Sequence, residues 1–344
     1  MRYRTLGRTG LEVSELCLGT MMFGDWGNRD EADCTRMLRT VLDAGINFVD
    51  TADEYAFGGS EEIVGRAIRG VRDEVVLATK FNHQMREGRN YRGNSRRWIA
   101  MAVEDSLRRL GTDRIDLYQV HRPDPQTDID ETLGALSDLI HQGKVLAIGT
   151  SAFASEALVE AQWVAQRRCR ERFATEQLSY SIFARHAEAA ILPTAERYGL
   201  AVMVWSPLNG GWLSGKYRRG TEPGADWRAV RHPDYFDLHD PAIAERKLDL
   251  VEALEELASA AGLTLLALAL GFVLAHRAVT CAIIGPRTPE HLDGLLSAAD
   301  VRLDDELLDR IDELVAPGTN INPEDVGWTP PALLDASLRR RPGG

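Results

Sequence analysis

Asp50, Tyr55, Lys80 and His121 differ in acid–base character, and three of the four close short apolar runs. Ile46-Asn47-Phe48-Val49 leads into Asp50, and Val75-Val76-Leu77-Ala78-Thr79 leads into Lys80. Ile115-Asp116-Leu117-Tyr118-Gln119-Val120 leads into His121, and Tyr55 follows Asp50 by five residues. A free phenol has a pKa of about 10 and is a slow proton donor at neutral pH. A nearby ammonium favours the phenolate and lowers that value, while a carboxylate holds the ammonium in place. An imidazole can donate a hydrogen bond to an oxygen that gains negative charge. The set fits reduction of a carbonyl, with hydride arriving at carbon while Tyr55 protonates the oxygen. It fits metal hydrolysis poorly, because one His and one carboxylate do not make a zinc site, and no metal ligands are assigned. Taken singly, each residue has a plainer reading, since strand ends are commonly polar and an Asp–Lys pair is often structural. The combination on one rim is what points to chemistry.

These side chains meet only if the runs are strands that end together. Short apolar runs lie near 16–20, 46–50, 75–80, 115–121, 144–150, 173–177, 200–205 and 280–284. Between them, apolar residues three and four apart predict helices over 31–44, 60–69, 96–110, 129–142, 154–168 and 187–198. A longer helical region spans 242–275, with further helices at 289–298 and 304–314. Eight strands alternating with helices imply a parallel sheet that closes into a (β/α)8 barrel, whose strand C-termini face the active site. The competing open, doubly wound sheet should carry GxGxxG after its first strand, which Gly19-Thr20-Met21-Met22 does not supply. The expected fold is therefore an α/β TIM barrel with an N-terminal β-hairpin over 4–16. It carries a long loop after strand seven over 209–240 and a C-terminal tail over 317–344. One domain over 1–344 is expected, with a barrel core of about 16–300 and the C-terminal helix and tail over 301–344. Ser95 and Ser60 read as helix N-caps, the latter followed by Glu61-Glu62.

Hydrophobic residues make up 44% and charged residues 27% of the 344, as in a protein with a large core. The net charge of −12 argues against nucleic acid or an anionic membrane as partner. No stretch reaches the roughly 18 apolar residues of a membrane span. The start lacks the apolar core of a secretory signal, and Cys17, Cys34, Cys169 and Cys281 show no CxxC spacing. A cytoplasmic location is expected. Oligomeric state is left open.

Asp50-Thr51-Ala52-Asp53-Glu54-Tyr55, Thr79-Lys80 and Gln119-Val120-His121 resemble the signature of the aldo-keto reductases. Gly19-Thr20-Met21, Gly149-Thr150-Ser151, Glu176-Gln177 and Trp205-Ser206-Pro207-Leu208 agree in order, as do Leu213-Ser214-Gly215-Lys216 and Ile284-Gly285-Pro286-Arg287. The similarity runs from the hairpin to about residue 316, and the long loop and tail look like the bacterial, channel-β-like and sugar-reductase-like branches. The resemblance implies NADPH (NADP+) bound across the barrel mouth and a small-molecule carbonyl substrate. It implies Tyr55 as general acid, Lys80 and Asp50 as its tuning pair, and His121 as the donor that orients the carbonyl. Cofactor contacts would come from Gly19, Thr20, Met21 and Asp50. Ser151 and Gln177 would hold the carboxamide and Trp205 would stack on the ring. Ser206 and Pro207 would also touch the cofactor, the backbone amides of Leu208 to Lys216, Gly210 and Ser214 among them, would wrap the pyrophosphate, and Gly285, Arg287 and His291 would lie by the adenosine half.

Some positions depart from that pattern. Ala152 stands where the family usually has Asn, and His291 and Gly294-Leu295 replace the usual Gln and Glu-Asn near the adenine. Trp26, Phe57, Phe81 and Trp328 are candidate substrate-pocket residues, with Met21 beside them. Arg86, Arg89 and Arg92 would suit an anionic substrate or else be solvated loop charges. Two further readings stay open. One is an NADPH-sensing regulatory subunit with slow turnover. The other is an isomerase or aldolase using Lys80 as a Schiff-base amine.

Overall fold

The computed structural model describes residues 1–221, 224, 240–325 and 327–340. Most of the long loop predicted after strand seven lies outside them. Two short strands, β1 (Tyr3–Thr5) and β2 (Glu12–Ser14), pair antiparallel as the predicted hairpin. Eight parallel strands then close a barrel: β3 (Leu16–Gly19), β4 (Phe48–Asp50), β5 (Val76–Phe81), β6 (Ile115–Val120), β7 (Val145–Ser151), β8 (Thr175–Ser179), β9 (Ala201–Trp205) and β10 (Val279–Ile284). They follow one another around the ring in chain order, and β10 pairs with β3. All eight predicted runs are barrel strands.

Helices α1 (Glu31–Asp43), α2 (Gly59–Ala67), α3 (Arg96–Leu110), α4 (Ile129–His141), α5 (Ser155–Arg168) and α6 (Ile191–Tyr198) follow β3 to β8. The apolar region after β9 is two helices, α7 (Pro241–Ala260) and α8 (Leu265–Ala275), bent by 89°. No single helix among the described residues is long and apolar enough to cross a membrane. After β10 come α9 (Pro289–Ser297), α10 (Asp305–Leu314), a short turn, α11 (Pro331–Leu334), and a 3-10 turn over Ala336–Leu338.

Strand side chains alternate between the barrel interior and the helix layer. The interior set is Cys17, Phe48, Ala78, Leu117, Ala147, Ala201, Met203, Cys281 and Ile283, plugged below by Leu6 and Val13 of the hairpin region. The same parity turns Asp50, Lys80, Gln119, Ser151 and Trp205 inward, because each lies two or four residues beyond an interior residue of its own strand, and Gln177 of β8 joins them by donating to Asp50 Oδ1. The complementary parity sends Leu77, Phe81, Tyr118 and Val120 outward against α3 and its neighbours. Parity therefore selects what the barrel mouth receives.

Ser95 caps α3, accepting a hydrogen bond from the Trp98 amide at 3.3 Å. Ser60 does not cap α2. Gly58, at φ +96°, supplies the left-handed residue before that helix, which opens at Gly59. Ser60 is buried inside the first turn and donates to the Thr20 carbonyl at 2.8 Å, tying α2 to the end of β3.

Candidate active site

At the rim, Lys80 Nζ lies 2.6 Å from Asp50 Oδ2, 2.8 Å from the Thr51 carbonyl and 3.3 Å from Tyr55 Oη. All three donor positions of the ammonium are directed at oxygen. Asp50 is held from its other side, because Oδ1 accepts from Gln119 Nε2 and Gln177 Nε2, each at 3.0 Å. The carboxylate thus joins four strands: β4, β5, β6 and β8. Tyr55 opens a single helical turn whose next two residues, Ala56 and Phe57, adopt φ +49° and +52°. L-residues avoid that region at a cost of about 1–2 kcal/mol each, so surrounding packing must fix the turn. The turn aims the phenol at Lys80 and sets its ring edge-on to His121, centroids 5.8 Å apart.

Burial dominates the electrostatics. It pushes the Tyr55 phenol up; Lys80 pulls it down and Asp50 pushes it up again, and the net direction is upward. Sequence reasoning expected Lys80 to lower the phenol pKa, and its effect has that sign, but excluding water from the phenolate outweighs it. Tyr55 is thereby a phenol at neutral pH. For Lys80, burial works against the ammonium, yet Asp50 and Tyr55 together more than offset it and raise the pKa. Burial, Lys80 and Arg122 push His121 well below the usual imidazole range, leaving a neutral ring. Its Nδ1 faces Glu54 Oε1 across 3.8 Å, beyond hydrogen-bond reach, so that carboxylate does not pin the ring proton to Nδ1.

Other expected residues divide between the rim and elsewhere. Trp26 lies 6.1 Å from the Tyr55 ring and 6.0 Å from Phe57, whose side is 74% exposed. Phe81 is a correction. It is fully buried, with its ring 4.8 Å from Tyr118 in the helix layer, and does not reach the mouth. Lys80 takes the inward position on β5, so its neighbour must face out. The tail reaches the mouth through Gly327, where a Cβ would stand only 2.6 Å from Trp205 Cζ2. Asn209 Nδ2 donates to Asp325 Oδ2 at 3.0 Å, and buried Lys247 donates to Asn209 Oδ1 at 2.8 Å. Trp328 adjoins that contact in sequence and is half-buried. Arg86 pairs with Asp105 and lies over the Tyr91 ring at 5.7 Å, while Arg89 and Arg92 are exposed.

A nicotinamide nucleotide fits what the β7–β10 side presents. Ser151 Oγ is enclosed and has no hydrogen-bond partner among the described residues, a donor waiting for an acceptor. Half-buried Trp205 turns inward at the end of β9. The segment Asn209–Ser214 that follows carries Gly210 and Gly211 at φ +68° and +114°, then Gly215 at +84°. Side-chain-free backbone of that kind lets amides approach oxyanions closely. Among the described residues, nothing lies within 4 Å of a Cβ built at Gly285 or Gly294. Met21 and Arg287 lie on the loops after β3 and β10, His291 lies in the first turn of α9, and the Arg287 carbonyl accepts from Asn28 Nδ2 at 3.1 Å.

Residues 15–316 match the model of the aldo/keto reductase family. The chain belongs to that family. It is 40% identical over 339 residues to an uncharacterised oxidoreductase of Bacillus subtilis, YrpG, covering 95% of this chain and 100% of the relative. It is 37% identical over 305 residues to the aldo-keto reductase YhdN of the same organism, covering 86% and 88%. A probable voltage-gated potassium channel subunit beta of rice is 35% identical over 322 residues, covering 92% and 97%. Family membership supports an oxidoreductase acting on carbonyl compounds with a nicotinamide cofactor of the NAD(P)H type.

Sequence reasoning did not single out Glu54 or His83. Glu54 Oε2 lies 2.8 Å from His83 Nδ1, and the His83 ring stands 4.8 Å from that of His121, nearly perpendicular. The only signal was position: Glu54 precedes Tyr55, and His83 follows Lys80 by three residues.

Proposed function

We propose that the chain reduces an aldehyde or ketone to the alcohol, with NADPH as hydride source and Tyr55 as proton donor. The observation that carries this reading is the single ammonium of Lys80 bridging Asp50 and Tyr55. A nicotinamide bound at the mouth supplies hydride to the carbonyl carbon. The carbonyl oxygen, as it gains charge, meets the Tyr55 hydroxyl and the neutral His121 imidazole. Tyr55 gives up its proton there, and the tyrosinate left behind is stabilised by Lys80 at 3.3 Å. Burial discourages that phenolate before reaction; the ammonium favours it as the proton departs. Asp50 keeps Lys80 charged and in place. Ser151 and Gln177 would hold the carboxamide, Trp205 would cover the ring, and the glycine-bearing segment after β9 would take the pyrophosphate. Arg287 favours NADPH over NADH, since a guanidinium pairs well with a 2′-phosphate. Trp26 and Phe57 form an apolar wall for the substrate.

The Schiff-base reading for Lys80 is disfavoured, because a nucleophilic amine must be unprotonated and Asp50 and Tyr55 stabilise the ammonium. The regulatory-subunit reading draws support from the relatives named as probable channel beta subunits, in rice and in Arabidopsis. Steady-state oxidation of NADPH with a panel of aldehydes, compared with the cofactor release rate, separates it from a working reductase.

The decisive variant is Tyr55→Phe, which retains the ring and removes the proton. Turnover is expected to fall about 10³-fold while NADPH binds as before, measured by fluorescence titration. Full turnover in a natively stable variant would overturn the reading.

A further inference from the structure

We propose that Glu54, His83 and His121 form a binding site for a divalent transition-metal ion of the zinc class. The three side chains come from the loop before α2, the loop after β5 and the end of β6. One ligand atom from each lies within 4.8 Å of the other two. Two nitrogens there are enclosed and lack any hydrogen-bond partner among the described residues, His83 Nε2 and His121 Nδ1. The hydrogen-bond contact between Glu54 and His83 accounts for that pair but for neither orphaned nitrogen. Buried polar atoms are normally satisfied, so two in one cluster need an explanation.

Two imidazoles and one carboxylate make a three-protein-ligand set with an open fourth position, as zinc and its neighbours prefer. Magnesium and calcium want more oxygen than one carboxylate supplies. Bonds of about 2.0–2.1 Å in a tetrahedron put ligand atoms about 3.3 Å apart, so the widest separation must close by about 1.5 Å. His121 is fixed at a strand end. Glu54 and His83 are on loops, their side chains 22% and 34% exposed, and have room to move. Lys80 and Arg122 oppose a cation here; Asp50 already pairs with Lys80, and Glu54 supplies a further negative charge. An ion held on Nδ1 leaves the imidazole proton of His121 on Nε2. The proposal does not rest on the reductase reading, since occupancy is measured without substrate or cofactor.

The test uses full-length, tag-free protein stripped with EDTA and carrying Cys169→Ser, which removes the exposed thiol as a competing ligand. Zinc chloride is followed by isothermal titration calorimetry, and cobalt chloride by visible absorption. The expected result is one ion per chain and cobalt bands of a low-coordinate nitrogen and oxygen site, with no response to magnesium. His83→Ala and Glu54→Gln should each weaken zinc by more than the 10–100-fold typical of outer-shell changes. Glu54→Gln is nearly isosteric and carries the test should the His83→Ala chain fail to fold. Absence of stoichiometric binding in the parent, or unchanged affinity in the variants, would overturn the site.

Discussion

On the β4–β6 side of the barrel mouth, the buried carboxylate of Asp50 meets a buried ammonium at 2.6 Å. Behind the β7–β8 side, on the helix-facing surface of the sheet, the buried carboxyl of Glu176 is held by the Thr150 hydroxyl and by the amides of Phe153 and Ala152. Burial pushes Glu176 up to about 8, against those three hydrogen bonds, so near neutral pH the group is largely a protonated acid. The first side is assembled from paired charges; behind the second, a neutral carboxyl is held by a hydroxyl and amides. A paired charge keeps an ionised group in place for proton transfer. Neutral donors shape a surface that a nucleotide can enter without competing with a fixed ion. The difference implies that variants on the first side should change turnover, and variants on the second should change cofactor affinity or stability.

The largest effect is expected from Lys80→Met, which removes the charge while retaining a similar reach. Turnover should fall about 10³-fold, because nothing then favours the tyrosinate. Asp50 would keep only Gln119 and Gln177, and an uncompensated buried carboxylate costs about 3 kcal/mol or more. Single-turnover kinetics and urea titration check the two arms. A variant with wild-type turnover would end the idea that the two sides divide the labour.

How much of this could be read from the chain itself follows the same division. Asp50, Lys80 and His121 announced themselves because strands alternate and charged residues end apolar runs, so parity and position were enough. Phe81 was misassigned although the same parity, counted from Lys80, turns it outward. Ser60 was misassigned because the left-handed conformation of Gly58, which opens α2, leaves no distinctive mark beyond a common Gly-Gly pair. The Tyr55 turn, with two left-handed non-glycine residues, is not encoded by local preference, and packing imposes it. The Asn209–Asp325–Lys247 contacts and the meeting of Glu54 with His83 join residues remote in sequence, and apart from Lys247 on α7 these lie outside the regular helices and strands, where periodicity carries no information.

On the neutral side, Glu176→Gln should act on stability through pH. Glu176 titrates near 8 in the fold against an ordinary value of 4.5, so between those limits the folded chain binds a proton that the unfolded chain releases. This contribution favours folding at low pH and is lost as pH rises through 8. The amide resembles the protonated acid and does not titrate. The unfolding free energy of the variant should therefore gain on wild type by roughly 1.4 kcal/mol per pH unit between about pH 5 and pH 8. Denaturant titrations across that range measure it, and parallel curves would show that Glu176 is ionised in the fold.

Ser151→Ala should separate binding from folding. The hydroxyl is buried without a partner among the described residues, so its loss should leave the free protein as stable or slightly more so. If the carboxamide of the cofactor is its intended acceptor, affinity for NADPH should drop about fivefold, near 1 kcal/mol. Turnover at saturating cofactor should hold. A variant with unchanged affinity would remove Ser151 from the nucleotide surface.

The smallest effect is expected one residue further, at Ala152. Its φ of +60° lies in the left-handed region, where Asn is several-fold enriched and alanine carries a Cβ clash. Family resemblance anticipates Asn at this point, and the backbone retains the conformation that Asn suits. Ala152→Asn should thus raise stability by about 0.5 kcal/mol and tighten NADPH by a similar amount if the new amide reaches the carboxamide. Thermal melts with and without cofactor distinguish the two gains. A rise in midpoint without cofactor and no further rise with it would mean that the left-handed turn, and not a bond to the ligand, is what the usual Asn serves.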